Sequence, residues 1–238
     1  MKGWSRQFFW AVLGFGLAGC ASVPPGAVSD NDPLQSYNRT MYGINDSLDR
    51  HVMKPVAQGY HAVAPDFVRT GVTNFFNNIG DLGTFINDLL QAKLQQGAAD
   101  GGRFLLDTTV GIFGLFDVGT PAGLERHRED FGQTMAVWGW ENSTYFVLPL
   151  LGPSTLRDSL GLVGDYPWTI YPYMHTTLTK QLEVGTVDLV NTRSNLLAAS
   201  NVLDTAALDP YAFMRDAYLQ RRRNMIYDGH PPPLPEDE

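Results

Sequence analysis

Apolar residues return at intervals of three and four along much of this chain, and that period predicts helices. Leu34, Tyr37, Met41, Ile44 and Leu48 form one stripe, in a segment that Asp32 can N-cap with Pro33 at the first helical position. Residues 65–79 set Val68, Val72, Phe75, Phe76 and Ile79 on one face. Beyond Gly80, a second run with Leu82, Phe85, Ile86, Leu89, Leu90 and Leu94 predicts another helix, whose apolar face is wide. A short helix is expected within "GAADGGRFLLDTTVG" and another over residues 129–139. "STYFVLPLLGP" reads as extended, because Pro149 and Pro153 forbid a regular helix there; Pro153, Ser154 and Thr155 then open the helix "STLRDSLGLVG". After an aromatic, Pro-rich stretch over 165–175, a long helix carries Leu178, Leu182, Leu189, Leu196, Ser200 and Leu203, and Asp209-Pro210 starts the last one. No repeat and no convincing strand alternation is present. The fold class expected is mostly α-helical, interrupted by irregular Gly/Pro-rich apolar loops.

Those loops are unusual. The chain has 24 Gly and 15 Pro, and many sit in apolar stretches such as "TTVGIFGLFDVG" (108–119) and "YFVLPLLGP" (145–153). Loops of soluble domains are usually polar and solvated. Apolar loops point to backbone that meets something greasy or is buried in protein.

The N-terminus changes the picture further. Residues 1–7 hold Lys2 and Arg6 without an acid, and residues 8–18 are uncharged and mostly apolar. A spanning helix needs about 20 apolar residues, so this run is a secretory signal rather than an anchor. It ends in "LAGC", which resembles a bacterial lipobox, and Cys20 is the only cysteine. The division that follows is a lipoprotein signal peptide over 1–19, a lipidated tether over 20–31, one helical domain over 32–228 and a disordered Pro-rich tail over 229–238. Cys20 is expected to carry covalent diacylglyceryl and N-acyl chains, with no other cofactor and no disulfide. Ala21 and Ser22 follow it, not the Asp that resembles an inner-membrane retention signal, so the expected location is the outer membrane, lipid-anchored on its periplasmic face.

Formal net charge is −8, and removal of the signal makes it −10. An acidic chain whose only dense basic run is Arg221–Arg223 is a poor nucleic-acid binder. Chemistry is equally hard to find. Five histidines are scattered without ligand spacing, and there is no G-x-S-x-G elbow, P-loop or dinucleotide fingerprint. His127, Glu129 and Asp130 are the one candidate catalytic cluster, as in a phospholipase; the competing reading of "ERHRED" is a solvated loop of mixed charge.

Eight blocks in order, "DPLQSYNRTMYGIND", "KPVAQGY", "GVTNFFNNI", "LLQAK", "RFLLDTTVGIFGLFDVG", "EDFGQTMAVWGW", "YFVLPLLGPSTLRDSLG" and "DPYAFMRDAYLQRR", resemble the MlaA (VacJ) family of outer-membrane lipoproteins over nearly the whole mature length. The resemblance implies a ring-like amphipathic helical body embedded in one membrane leaflet, beside a trimeric porin. It implies a passive, non-enzymatic route that takes mislocalised phospholipids from the outer leaflet to a soluble, MlaC-like periplasmic carrier, keeping the outer membrane asymmetric. On that reading Gly111, Gly114, Asp117, Gly119, Pro149, Gly152 and Pro153 are candidates for a channel or gate loop, the glycines serving either flexure or tight helix packing. Arg39, Arg103 and Arg157 are candidate headgroup contacts, or else they pair with acids such as Asp107 and Asp158 to hold the fold. Where the family usually has Gly-Pro-Tyr, this chain has Ser143-Thr144-Tyr145, so the turn there should differ. Two rival functions are a scaffold that tethers porins and a phospholipase.

Overall fold

A computed structural model describes residues 32–174, 176–200 and 209–233. The signal peptide, Cys20, the tether over 20–31, Leu203 and the tail beyond residue 233 lie outside the described residues.

Helix α1 (Gln35–Leu48) runs through a wide π-helical turn (Asp49–Met53) into α2 (Lys54–Val63). Pro55 lies in the first turn of α2 and has no N–H to give, and the helix widens just ahead of it. Asp32 does not cap α1. The capping position is Leu34, without a side-chain bond, and Asp32 is fully buried, accepting from Asn38 Nδ2 (2.8 Å) and the Tyr211 hydroxyl. The two helices expected on either side of Gly80 are one, α3 (Asp66–Leu90). An interior glycine costs only about 1 kcal/mol against alanine, which packing along 25 residues overrides. A tight turn with Ala92 at φ 60° reverses the chain into α4 (Leu94–Thr109), longer than the short helix expected, which packs antiparallel on α3.

Next come α5 (Phe131–Val137), a hairpin of β1 (Tyr145–Leu148) and β2 (Gly152–Thr155), and α6 (Leu156–Asp165). Two 3₁₀ turns (Tyr166–Trp168 and Tyr171–Tyr173) lead to α7 (Leu178–Asn195), and α8 (Pro210–Ile226) completes the body. The starts of α5, α6 and α8 are each capped by a side chain one residue before the helix. Asp130 accepts from the Gln133 amide, Thr155 from Asp158 and Asp209 from Ala212. The extended segment is thus a true antiparallel pair, with Tyr145 opposite Thr155 and Leu148 opposite Gly152. Helix α1 holds the hairpin through two asparagines. Asn38 Oδ1 accepts from the Val147 amide (2.9 Å), and Asn45 both donates to the Leu148 carbonyl and accepts from the Leu150 amide, each at 2.8 Å. α7 packs on α2 and α3, while α8 packs on α5 and β2.

The interior is polar. Among the described residues the buried apolar side chains are Ala57, Ala136, Tyr145, Val147 and Tyr211, whereas Asp81, Asp88, Asp100, Arg103, Asp107, Asn87 and Gln133 are buried with many other polar groups. Large apolar side chains lie outside instead, among them Val63 (84 % exposed), Phe67 (77 %), Phe113 (73 %), Leu150 and Leu151 (71 % each). This inverts the usual distribution, in which charged residues are almost never fully buried unless paired. On α3 the inward face is Asn78, Asp81, Thr84, Asn87 and Asp88. No helix among the described residues is long and apolar enough to cross a membrane.

Candidate functional site

The three arginines singled out as headgroup contacts are all engaged inside the protein. Arg103 is completely enclosed. It pairs with Asp117 (2.7 Å), Asp81 (3.3 Å) and Asp107 (3.6 Å) and donates to Thr120 Oγ1 and the Leu124 carbonyl. Arg157 is also buried, bonded to Asp158 (2.9 Å) and to the carbonyls of Trp140 and Glu141. Arg39 lies closer to solvent, but its guanidinium meets Asp209 at 2.7 Å and sits 4.5 Å over the Tyr211 ring. Buried cations need such partners, because an unpaired buried charge is costly. The geometry therefore assigns Arg103 and Arg157 to holding the fold.

The candidate gate residues are likewise braced. Asp107 accepts from the amides of Val118 (2.7 Å) and Gly119 (2.8 Å), while Asp117 accepts from Arg103 and Thr120. A Cβ on Gly119 would meet Arg103 at 2.8 Å, and one on Gly111 the Phe116 carbonyl at 2.2 Å, so both serve close packing. Gly114 takes φ 83° against Asn78. The stem of this loop is pinned to α4, and its tip turns Ile112, Phe113 and Phe116 outward. In the hairpin, Gly152 supplies φ 85° beside Leu150 at φ 67°, and Pro153 stands opposite Val147. The Ser143-Thr144 departure has a local consequence, since Ser143 Oγ accepts from the Arg157 amide (2.9 Å); Tyr145, common to both patterns, joins the small apolar core.

The groups of the 127–130 cluster face different partners. His127 Nδ1 meets Asp100 at 2.8 Å, Glu129 accepts from Lys93 (3.0 Å) and Gln91 (2.8 Å), and Asp130 accepts both N–H groups of Arg222 at 2.5 and 2.9 Å. The segment is a solvated loop only in part, since Glu125 and Arg128 are exposed while Glu129 is buried. Nearby, neither carboxyl oxygen of Asp88 receives a hydrogen bond from a conventional donor. Burial first, then the charges of Asp100 and Glu129, push the pKa of Asp88 up to about 8. Among the described residues no group of three or more His, Cys, Asp and Glu is arranged to hold a metal ion.

Of two adjoining cavities, one lies between the hairpin, α6, α8 and the segment before α5, the other between that segment, α8 and Gln96 of α4. The first, about 450 Å³, has apolar walls from Leu148, Leu151, Pro153 and Leu162 and a polar wall from Asp130, Asp158 and Arg222. Burial opposes ionisation of Asp158, but Arg222, Tyr218 and Arg157 outweigh it and hold its pKa below the usual range. Burial raises Asp165, partly offset by the Phe131 amide and Asn87. The second cavity, about 700 Å³, is bounded by Glu125, Arg126, His127 and Asp228. Arg128, Arg221 and Met225 line both cavities, so the two adjoin there. Arg221 belongs to the basic run visible in the sequence. Arg128 was hidden in a loop of mixed charge, and no local signal distinguishes it.

The sequence profile of the family described as "MlaA lipoprotein" matches residues 30–225. The chain belongs to the MlaA lipoprotein family. Two of its MlaA relatives are described as intermembrane phospholipid transport system lipoproteins. The one from Escherichia coli (strain K12) is 35% identical over 211 residues, 86% of this chain and 82% of the relative. The one from Haemophilus influenzae is 31% identical over 220 residues, 90% and 87% of the two chains. The fold agrees as well. A chain solved in work on the structural basis for maintenance of bacterial outer membrane lipid asymmetry matches with a TM-score of 0.73 at 32% identity, covering 82% of this chain and 98% of that one. The MlaA fold of this protein is mostly helical, and the adjoining cavities open on its surface beside the hairpin and α8.

Proposed function

We propose that this protein is an outer-membrane lipoprotein that gives phospholipids mislocalised to the outer leaflet a passive way back toward the periplasm. The observation that carries the reading is the inverted side-chain distribution: apolar faces outside, polar and charged groups inside, and two adjoining cavities in the polar part. Acyl chains favour the apolar exterior, whereas a headgroup needs polar surroundings while it crosses. A ring-like body embedded in one leaflet meets both requirements without a spanning helix. Irregular backbone at that depth is tolerated where protein or water satisfies it, as Asn38 and Asn45 do for the hairpin.

Lipidation of Cys20 anchors the chain to the inner leaflet, its body facing the periplasm. A trimeric porin borders the apolar exterior, and a soluble MlaC-like carrier receives the lipid. Transfer down a gradient needs no nucleophile, and the groups of the 127–130 cluster are divided among separate partners, which supports a route without catalysis. Outer-leaflet phospholipid, probed on intact cells, should rise on deletion of the gene and fall when the wild-type chain is restored, with no lysolipid formed. No rise would favour a porin-tethering scaffold; lysolipid dependent on His127 would favour a phospholipase. Cys20→Ala should fail to restore the wild-type level, and full restoration by that variant would sink the anchoring argument.

A further inference from the structure

We propose that Arg128 and Arg221 clasp the phosphodiester of a glycerophospholipid headgroup where the two cavities meet, an assignment that rests on the transport reading above. Among the described residues these are the two arginines whose side chains have neither a hydrogen bond nor an ion pair. Every other described arginine has an acid or a carbonyl. In a protein that pairs its cations so thoroughly, two unpaired ones lining the same two cavities mark a place for an anion from outside. Guanidinium suits this task, since its planar fork matches phosphate oxygens and stays charged at any relevant pH.

The surroundings hold the pair in place. Arg222, next to Arg221, grips Asp130 with two N–H groups, and Asp130 lies two residues beyond Arg128. That fork fixes α8 against the start of α5 and brings the neighbouring arginines to one junction. It also occupies the acids that would compete: Asp130 and Asp158 both accept from Arg222, and Asp228 pairs with Lys93. Two lining carboxylates have no cation: Glu125, which borders only the second cavity, and Asp165 in the first, which accepts from the Phe131 amide and Asn87. On the first-cavity side, Leu148, Leu151 and Leu162 supply apolar wall beside the cations. A free phosphate has no use for that wall; an amphiphile does.

The test titrates the purified full-length lipoprotein in neutral detergent with dihexanoyl phosphatidylglycerol, dihexanoylglycerol and inorganic phosphate. The wild type should bind the phospholipid at least about tenfold more tightly than either of the others, and the preference should shrink as salt is raised. The Arg128→Ala/Arg221→Ala double variant should bind phosphatidylglycerol no better than dihexanoylglycerol, and the double Lys variant should keep most of the affinity. Neither side chain has a partner to lose, so the melting temperature should not move; the double Gln variant serves if the Ala form fails to fold. Unchanged phospholipid binding in the double variant would overturn the clasp and leave the transport reading standing. Phosphate binding as tight as phospholipid binding would overturn the lipid source and leave a free-anion site. No phospholipid binding by the wild type, with no rise in outer-leaflet phospholipid on deletion, would overturn the transport reading itself.

Discussion

The α3–α4 hairpin and the α5–α6–α8 junction both bury arginines and aspartates, and they treat them differently. Between α3 and α4, the cations of Arg103 and Arg126 are shared among Asp81, Asp107 and Asp117, Asp100 meets His127, and burial raises the pKa of Asp88. At the junction, Arg222 and Arg157 take up Asp130 and Asp158, and Arg128 and Arg221 remain. Charge that closes on itself holds a fold. Charge left over beside a cavity is available to a ligand. The same residue type therefore has two roles, and pairing and burial divide them alike: Arg103, Arg157 and Arg222 are buried, whereas Arg128 and Arg221 are exposed.

The strongest way to break this contrast is Arg103→Ala. It removes the enclosed cation from Asp81, Asp107 and Asp117, leaving Arg126 to the first two and none to Asp117, and should cost about 3–5 kcal/mol, read by thermal unfolding in detergent, whereas Arg128→Ala should stay within about 0.5 kcal/mol. Equal losses would erase the distinction between the regions. Next in size is the response to pH. Asp88 keeps its proton in the folded state up to about pH 8, whereas an unfolded aspartate loses it near 3.9. The unfolded chain then binds fewer protons over that interval, so this group's contribution is full below about pH 4 and declines as pH rises to about 8. The slope is at most about 1.4 kcal/mol per pH unit. Asp88→Asn should flatten the decline and raise the melting temperature at pH 8; an unchanged slope would place the proton elsewhere.

Asn45→Ala tests the hairpin on the junction side. It leaves the Leu148 carbonyl and the Leu150 amide without their partner, for an expected loss of about 1–2 kcal/mol and faster hydrogen exchange at Leu150. The smallest effect should come from Gly80→Ala on α3. An added Cβ there meets nothing within 4 Å, so stability should rise by up to about 1 kcal/mol. A loss would mean that this exposed face is packed against a partner.

Much of the local structure was legible. Asp209-Pro210 and Thr155 do start helices, because a cap acts on an amide only two or three residues away. Asp32 misled because the same carboxylate had distant suitors, Asn38 and Tyr211, that outbid its own helix. The hairpin was read as extended but not as paired, since Pro149 and Pro153 rule out helix without naming a strand partner. Arg103 and Arg157 looked like lone cations among apolar neighbours. Their partners include Asp81 and the Trp140 carbonyl, 22 and 17 positions away along the chain.

What the order of residues settled unaided was that most of the chain is helical and that several helices carry an apolar stripe, because period and capping are properties of neighbours; the helix over Lys54–Val63 and the union of two helices across Gly80 were not among its readings. Whether a stripe faces a core or a lipid is not such a property. Tertiary packing decided that the polar face of α3 turns inward and that its apolar face turns out. It also decided which arginines are quenched, since only the folded chain brings Arg222 to Asp130 across 92 positions and leaves Arg128 and Arg221 without a match. Periodicity reveals that a helix has two faces; the solvent each one meets is chosen by everything packed around it.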